Sequence, residues 1–157
     1  MSYYEQLYGE IDDYCTLLNI IKTKINTYEY NFYDFGSGYG KIVNYFGHFF
    51  KESIGVEIVK DRYDHSLLNK MNDNVIFINK NFFDVDLKKN FVLLINNLCL
   101  KEGTNKRLSQ KILDNIQKNS INLVMVSKKL DLLKEYYLNC FTIKCSWGYS
   151  EIYFYMI

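Results

Sequence analysis

Asn31-Phe32-Tyr33-Asp34-Phe35-Gly36-Ser37-Gly38-Tyr39-Gly40-Lys41 is the stretch whose reading decides the fold. An apolar, aromatic run ends in an acid, a phenylalanine and three glycines at alternate positions, and a helical pattern follows. The run reads as a buried strand, and the chain then turns sharply through Gly36, Gly38 and Gly40. A helix leaves the turn through Ile42, Val43, Tyr45, Phe46, Phe49 and Phe50. Glycine is needed where φ is positive or where backbone must approach a ligand with no Cβ in the way. The helix start that follows is expected to offer free N–H groups to that ligand.

A glycine turn alone is weak, and the next acid strengthens it. Ser53-Ile54-Gly55-Val56-Glu57-Ile58 reads as a second strand with Glu57 at its carboxyl end. Roughly 20 residues separate this acid from the turn, the spacing at which a carboxylate reaches the two hydroxyls of a ribose. The glycines depart from the Gly-x-Gly-x-x-Gly dinucleotide string, and Asp34 stands two residues before the first of them. In both details the segment resembles motif I of the S-adenosylmethionine-dependent methyltransferases and not a NAD site.

Working outward, Glu5 to Lys24 reads as a loop and a helix carrying Ile11, Cys15, Leu18 and Ile21 on one face. Lys60 to Met71 reads as a short helix with Tyr63, Leu67 and Leu68 as its apolar face. Val75–Ile78 and Phe91–Ile95 are further strands, the first leading to Asn81-Phe82-Phe83 and the second to Asn96-Asn97. A helix is predicted from about Lys106 to Lys118 with Leu108, Ile112, Leu113 and Ile116 inward. A strand follows over Ile121–Val126, then a short helix over Leu130–Tyr137. Cys140–Ser146 and Ile152–Ile157 close the chain as an antiparallel pair. Unbroken apolar strands alternating with helices predict one α/β domain over residues 1–157, a Rossmann-like, mostly parallel seven-stranded sheet with helices on both faces. Residues 1–27 form a loop and helix over the ligand site. Such sheets bind ligands at the carboxyl ends of their strands, where Asp34, Glu57, Asn81 with Phe82, and Asn96 all fall.

The totals exclude other classes. A chain of 157 residues suffices for one sizeable core. A net charge of +1 gives no field strong enough to recruit nucleic acid or membrane by itself. No apolar run has the length of a membrane span and the N-terminus lacks a signal-peptide pattern, so no membrane contact is expected. Cys15, Cys99, Cys140 and Cys145 have no metal-ligand spacing and read as buried free thiols of a reducing, intracellular compartment. His48, read as partly buried in a helix, and His65 are too few for a metal site, and no metal is expected. The abundance of Asn, Lys, Ile and Tyr and the absence of proline point to an AT-rich genome, such as that of a virus.

From Tyr8 to its C-terminus the chain resembles the disruptor-of-telomeric-silencing (Dot-one) family of histone lysine methyltransferases, which have the class I methyltransferase fold. Tyr8-Gly9-Glu10 resembles the family's Tyr-Gly-Glu loop over the methionine part of the donor. Asp34-Phe35-Gly36-Ser37-Gly38-Tyr39-Gly40 resembles Asp-Leu-Gly-Ser-Gly-x-Gly, and Gly55-Val56-Glu57 with Arg62 resembles Gly-Val/Ile-Glu. Asn81-Phe82-Phe83 resembles Asp-Phe-Phe/Leu, and Ile95-Asn96-Asn97 resembles Val-Asn-Asn. Ser127-Lys128 and Ser146-Trp147 match later Ser-Lys and Ser-Trp strings. The chain departs at Asn81, where the family has an acid, at Ile11, where it has threonine, and in a much shorter stretch from Lys128 to Trp147.

The resemblance implies S-adenosyl-L-methionine as cofactor and a lysine of histone H3 in the nucleosome as target, reached in a nucleus or viral factory. Glu57 would hold the ribose. Asp34, Gly36, Ser37, Gly38, Gly40 and Lys41, with Tyr8 and Glu10 from the first loop, would bind the amino-acid part. Phe82 would stack on adenine and Asn81 would bond its amino group. Asn96 would stand between donor methyl and target amine, its side-chain oxygen orienting the amine, with Tyr8 beside it. Methyl transfer is an in-line displacement in which alignment supplies much of the rate. The amine must arrive neutral, which a narrow apolar channel favours by desolvation. Leu100, Tyr149 and Tyr153 would line that channel, and Lys101, Lys106, Arg107, Lys128 and Lys129 would give weak nucleic-acid contact. A methyltransferase for a non-histone protein or a small molecule, and a donor-binding subunit without turnover, are the alternatives.

Overall fold

The computed structural model describes residues 10–157. Five parallel strands form its centre: β1 (Asn31–Phe35), β2 (Glu52–Val56), β3 (Val75–Ile78), β4 (Phe91–Ile95) and β5 (Leu123–Val126). A long hairpin, β6 (Tyr137–Cys145) and β7 (Gly148–Met156), completes a seven-stranded sheet of order β3-β2-β1-β4-β5-β7-β6. β7 runs antiparallel to β5, and β6 antiparallel to β7. The expected Rossmann-like sheet with its terminal antiparallel pair is therefore what forms, and both hairpin strands begin earlier than the sequence pattern indicated, β6 at Tyr137 and β7 at Gly148.

Every residue of β1 and of β4 is buried, because helices cover both faces. On one face α1 (Tyr14–Lys22), α2 (Lys41–Phe46) and Tyr63 of α3 (Lys60–Leu68) close a core around Phe32, Phe46, Val92 and Phe154. On the other, α4 (Glu102–Asp114) and the 3₁₀ turn Asp131–Tyr136 cover Tyr33, Leu93, Val124 and Tyr155 through Leu108, Ile112 and Leu133. α1 starts where Asp13 accepts from the Thr16 N–H at 3.0 Å, a side-chain cap.

Several local expectations are corrected. α2 ends at Phe46, so Phe49 and Phe50 pack from the turn after it and His48 is exposed there. α3 buries Ser66 while Leu67 and Leu68 are 44% and 85% exposed, because it lies against the sheet's β3 end and touches only along Tyr63 and Ser66. α4 begins at Glu102, a full turn before the expected start. The short helix after β5 is 3₁₀. Of the cysteines only Cys145 is buried; Cys15, Cys99 and Cys140 are exposed on the outer faces of α1, the β4–α4 loop and β6. No helix among the described residues is long and apolar enough to cross a membrane.

The register places the chemistry. Phe35 pairs with Val56 on one side and Ile95 on the other, so the turn at Gly36 emerges between Glu57 and Asn96. The strand order reverses beside β1, which makes this edge the topological switch point.

Candidate functional site

Gly36, Gly38 and Gly40 have φ of +85°, +55° and +81°, the left-handed conformation that favours glycine. A Cβ at Gly40 would sit 2.4 Å from the Phe77 ring, so the turn is pressed onto β3. Gly55 is required by a close approach: its Cβ would lie 2.7 Å from the Ser37 hydroxyl, which is buried there without a hydrogen-bond partner.

The backbone donors of this turn are used within the protein. The N–H groups of Gly36 and Ser37 both donate to the Val56 carbonyl, at 2.8 and 3.1 Å. The Gly40 N–H donates to the Ser37 carbonyl at 2.9 Å, and the Gly38 N–H donates to Glu57 Oε1 at 2.9 Å. These four N–H groups are therefore not offered to a ligand; the helix start expected to supply free N–H groups begins at Lys41, outside this set of bonds. A phosphate cradle needs such donors pointing outward; here acids occupy the space instead.

Three carboxylates face the turn. Glu57 is 5% exposed; its Oε2 accepts from the Val59 N–H at 2.9 Å, and Arg62 stands 4.0 Å from Oε1. Asn79 fixes the strand end that carries it by donating to the Glu57 carbonyl at 2.8 Å. Glu10 lies over Gly38, with Lys41 Nζ 3.5 Å from its Oε2. Asp34 is buried beneath, and burial, with the charges of Glu57 and Glu10 added, pushes its carboxyl up to about 8. Among the described residues no three His, Cys, Asp or Glu are grouped as metal ligands.

Glu10 is brought here by the hairpin. Its N–H donates to Ser146 Oγ at 2.9 Å, its carbonyl accepts from the Ser146 N–H at 2.7 Å, and Ile11 bridges Cys145. Tyr8 lies outside the described residues. Thus the Tyr-Gly-Glu and Ser-Trp strings, 136 residues apart, meet through Glu10 and Ser146.

At the other side of the turn Asn96 Oδ1 accepts from the Ser127 hydroxyl at 3.0 Å and from the Leu98 N–H at 3.3 Å. Its neighbour Asn97 is fully buried and acts as a clip. Its Nδ2 donates to Asn105 Oδ1 at 3.0 Å and the Lys128 carbonyl at 2.9 Å, while its Oδ1 accepts from the Lys128 N–H at 2.8 Å. β4, β5 and the start of α4 are thereby locked together. Sequence reasoning assigned no role to Ser127, Asn97 or Asn79; the Ser-Lys and Asn-Asn strings were the signal.

Asn81 and Phe82, the residues expected at adenine, stand at the turn that follows β3. Phe82 is half-buried with one face stacked on Phe35, centroids 5.0 Å apart. Asn81 is exposed and its Oδ1 caps the following 3₁₀ turn by accepting from the Phe83 N–H at 3.0 Å. Of the channel residues, Leu100 packs on the α4 side of the sheet, as does Tyr153, which pairs with Val126 and donates to Glu151 at 2.5 Å. Tyr149 is not brought to them: it is 74% exposed near the hairpin tip, four residues before Tyr153 in β7. Lys101, Lys106 and Lys128 are exposed. Arg107 stacks on Phe83 at 4.0 Å, and Lys129 lies 5.2 and 5.4 Å from the rings of Tyr137 and Tyr153.

No protein-family model matches the chain, and no curated protein matches it. Solved structures do. An RNA methyltransferase from Salinibacter ruber, in complex with S-adenosyl-L-homocysteine, has TM-score 0.68 at 17% identity, over 91% of this chain and 90% of that one. The N-methyltransferase NodS from Bradyrhizobium japonicum has TM-score 0.72 at 5% identity, over 92% and 94%. The magnesium protoporphyrin IX methyltransferase from Synechocystis, with S-adenosylmethionine bound, has TM-score 0.66 at 9% identity, over 92% and 76%. Nothing among these matches singles out the Dot-one family. At such identities they establish architecture, and the chain has the class I fold of S-adenosylmethionine-dependent methyltransferases.

Proposed function

We propose that this chain is an S-adenosylmethionine-dependent methyltransferase that methylates a protein lysine, with the globular core of histone H3 on nucleosomes as its target. One observation carries the donor assignment. The turn at the switch point has its Gly36, Ser37, Gly38 and Gly40 N–H groups used internally and is faced by Glu10, Asp34 and Glu57. A pyrophosphate finds none of these four N–H groups free, whereas the carboxylate oxygens of Glu10 and Glu57 are acceptors that suit an ammonium and ribose hydroxyls. S-adenosylmethionine carries an ammonium and a sulfonium, and its sulfonium supplies the methyl group that is transferred.

The residues present fit that ligand. Glu57 keeps lone pairs on both carboxylate oxygens beyond the two backbone donors it accepts, enough for ribose hydroxyls. Glu10 would balance the ammonium, and Asp34, which keeps its proton up to about pH 8, would meet it as a neutral hydrogen-bond partner. Phe82, held against Phe35, keeps an aromatic surface half exposed after β3 and would stack on the adenine. Asn96 would order the target amine, and its neighbour Asn97 fixes the strand end on which it stands. Exposed Lys101, Lys106 and Lys128 flank that strand end and would meet the nucleosome surface. Work on chromatin would place the protein in a nucleus or viral factory.

The lysine reading is supported by how the resembling strings meet. Asn96-Asn97 bonds Ser127-Lys128, and Glu10 bonds Ser146, so segments distant in sequence form two hydrogen-bonded units at one edge. The test is methyl transfer from labelled donor to intact nucleosomes, with free histones alongside. Label on histone H3 in nucleosomes is expected, and Asn96→Ala should lower turnover about 100-fold while retaining donor binding. Label on free histones only, or none, would remove the nucleosome from the reading. Full activity of Asn96→Ala would remove Asn96 from the chemistry.

Asp34 gives a pH test of the same pocket. Its ordinary value is 3.8, and in the fold it holds its proton to about 8. Between these values the unfolded chain is ionised at this position and the folded one is not. Its contribution to stability is therefore greatest at low pH and falls as pH rises through that window. Asp34→Asn removes the fall. Melting curves at pH 5 and pH 8 should show the variant gaining on wild type by about 3–4 kcal/mol as pH rises. Parallel curves would contradict the burial assigned to Asp34.

A further inference from the structure

The side-chain oxygen of Asn96 is already engaged twice, by the Ser127 hydroxyl and by the Leu98 N–H. A carbonyl oxygen has two good acceptor directions, so both are taken. The amide therefore cannot rotate without breaking two hydrogen bonds, and an incoming amine competes for that oxygen. Ser127 differs. Its hydroxyl proton is committed to Asn96, which leaves the lone pairs of its oxygen as acceptors. Ser127 is itself 8% exposed, at the end of β5 and beside the Asn97–Lys128 clip. The clip fixes both strand ends, so the spacing between Asn96 and Ser127 is set by the fold and not by their own contact.

We propose that Ser127 is a positioning residue of the transfer site: its hydroxyl holds the Asn96 amide in one orientation and offers the adjoining acceptor for an N–H of the target amine. The inference rests on the methyltransferase reading above. It replaces the simpler picture in which the Asn96 oxygen alone orients the amine. A hydroxyl that must donate to Asn96 can only accept from the substrate, which favours a nitrogen bearing hydrogen and disfavours a carboxylate or phosphate oxygen. The neighbouring threonine methyl of a Ser127→Thr variant keeps the hydroxyl and so keeps the device.

The experiment compares wild type, Ser127→Ala, Ser127→Thr, Asn96→Ala and the double alanine variant. Binding of S-adenosylhomocysteine is measured by calorimetry, and methyl transfer from labelled donor to nucleosomes by single turnover. Affinity for S-adenosylhomocysteine is expected to stay within about twofold throughout, since none of these changes touches the glycine turn or Glu57. Turnover should fall about 10- to 100-fold in Ser127→Ala, the scale of a misaligned reacting group, and recover in Ser127→Thr. In the Asn96→Ala background Ser127→Ala should cost less than in wild type, because its hold on the Asn96 amide is already gone and only its own acceptor remains to be lost. Unchanged turnover in Ser127→Ala, or fully additive losses, overturns the proposal. Should nucleosomes take no label, the Asn96 side-chain amide signals decide in ¹⁵N-labelled protein. They should shift or broaden in Ser127→Ala and return in Ser127→Thr, and identical spectra overturn the proposal. Failure of wild type to bind S-adenosylhomocysteine would instead defeat the methyltransferase reading itself.

Discussion

Replacing Glu57 by alanine is expected to lower affinity for S-adenosylmethionine by more than about 100-fold, the largest functional effect of any single change in the pocket. Two losses combine. The carboxylate that would hold the ribose disappears, and the N–H groups of Gly38 and Val59 lose their acceptor. Charge-assisted hydrogen bonds of this kind are worth roughly twice neutral ones, so the turn loosens as well. Glu57→Gln separates the two: its single amide oxygen can serve one of the backbone donors and restores only part of the affinity. Calorimetric titration with S-adenosylhomocysteine checks both variants. An affinity unchanged in Glu57→Ala would remove Glu57 from the binding site.

Gly40→Ala is expected to have the largest effect on stability. Its Cβ would stand 2.4 Å from Phe77 Cε1 and 3.3 Å from Ser66 Cβ, against a φ of +81°. The conformational cost of a left-handed alanine is about 1–2 kcal/mol and overpacking of a filled core adds about 1–3 kcal/mol. Phe77 is 7% exposed and cannot swing into solvent without opening the core under α2 and α3. Denaturant unfolding should show a loss of about 3 kcal/mol. Gly36→Ala is the control, since a Cβ there meets no atom within 4 Å and only the backbone cost of φ +85° applies. Equal losses at the two positions would show that Phe77 yields and that the turn is not pressed onto β3.

The sheet could be read from sequence because its signals are local. Val75 to Ile78 and Phe91 to Ile95 are unbroken apolar runs, Phe32 and Tyr33 lead into the turn, and Asp34 and Glu57 mark strand ends by spacing alone. The inward face of α4 was legible for the same reason, since Leu108 and Ile112 recur at helical spacing and are fully buried. α3 was misread because its leucines satisfy the pattern while its place at the sheet's end leaves them nothing to cover. Exposed Cys140 shares that cause: it lies in a strand-like run, but β6 is the last strand of the sheet.

Within the site, sequence located Asp34, Glu57 and Asn96 but not what holds them. The bonds from Ser127 to Asn96 and from Lys128 to Asn97 each join residues 31 apart. Contacts between Glu10 and Ser146 join residues 136 apart. Polar side chains that work as clips leave no periodic trace. The glycine turn shows the converse limit. Its positive φ angles followed from residue type, yet which carbonyls and carboxylates would capture its N–H groups followed only from the parallel register of β1 with β2. That register ties the Gly36 and Ser37 N–H groups to the Val56 carbonyl and the Gly38 N–H to Glu57.

The central claim is that the edge between Glu57 and Asn96 is a methyl-donor site. Titration of the purified protein with S-adenosylhomocysteine, and in parallel with NAD, tests it most directly. Saturable one-to-one binding in the micromolar range, absent for NAD and lost in Glu57→Ala, is the expected result. No binding of S-adenosylhomocysteine, or tighter binding of NAD, would contradict it.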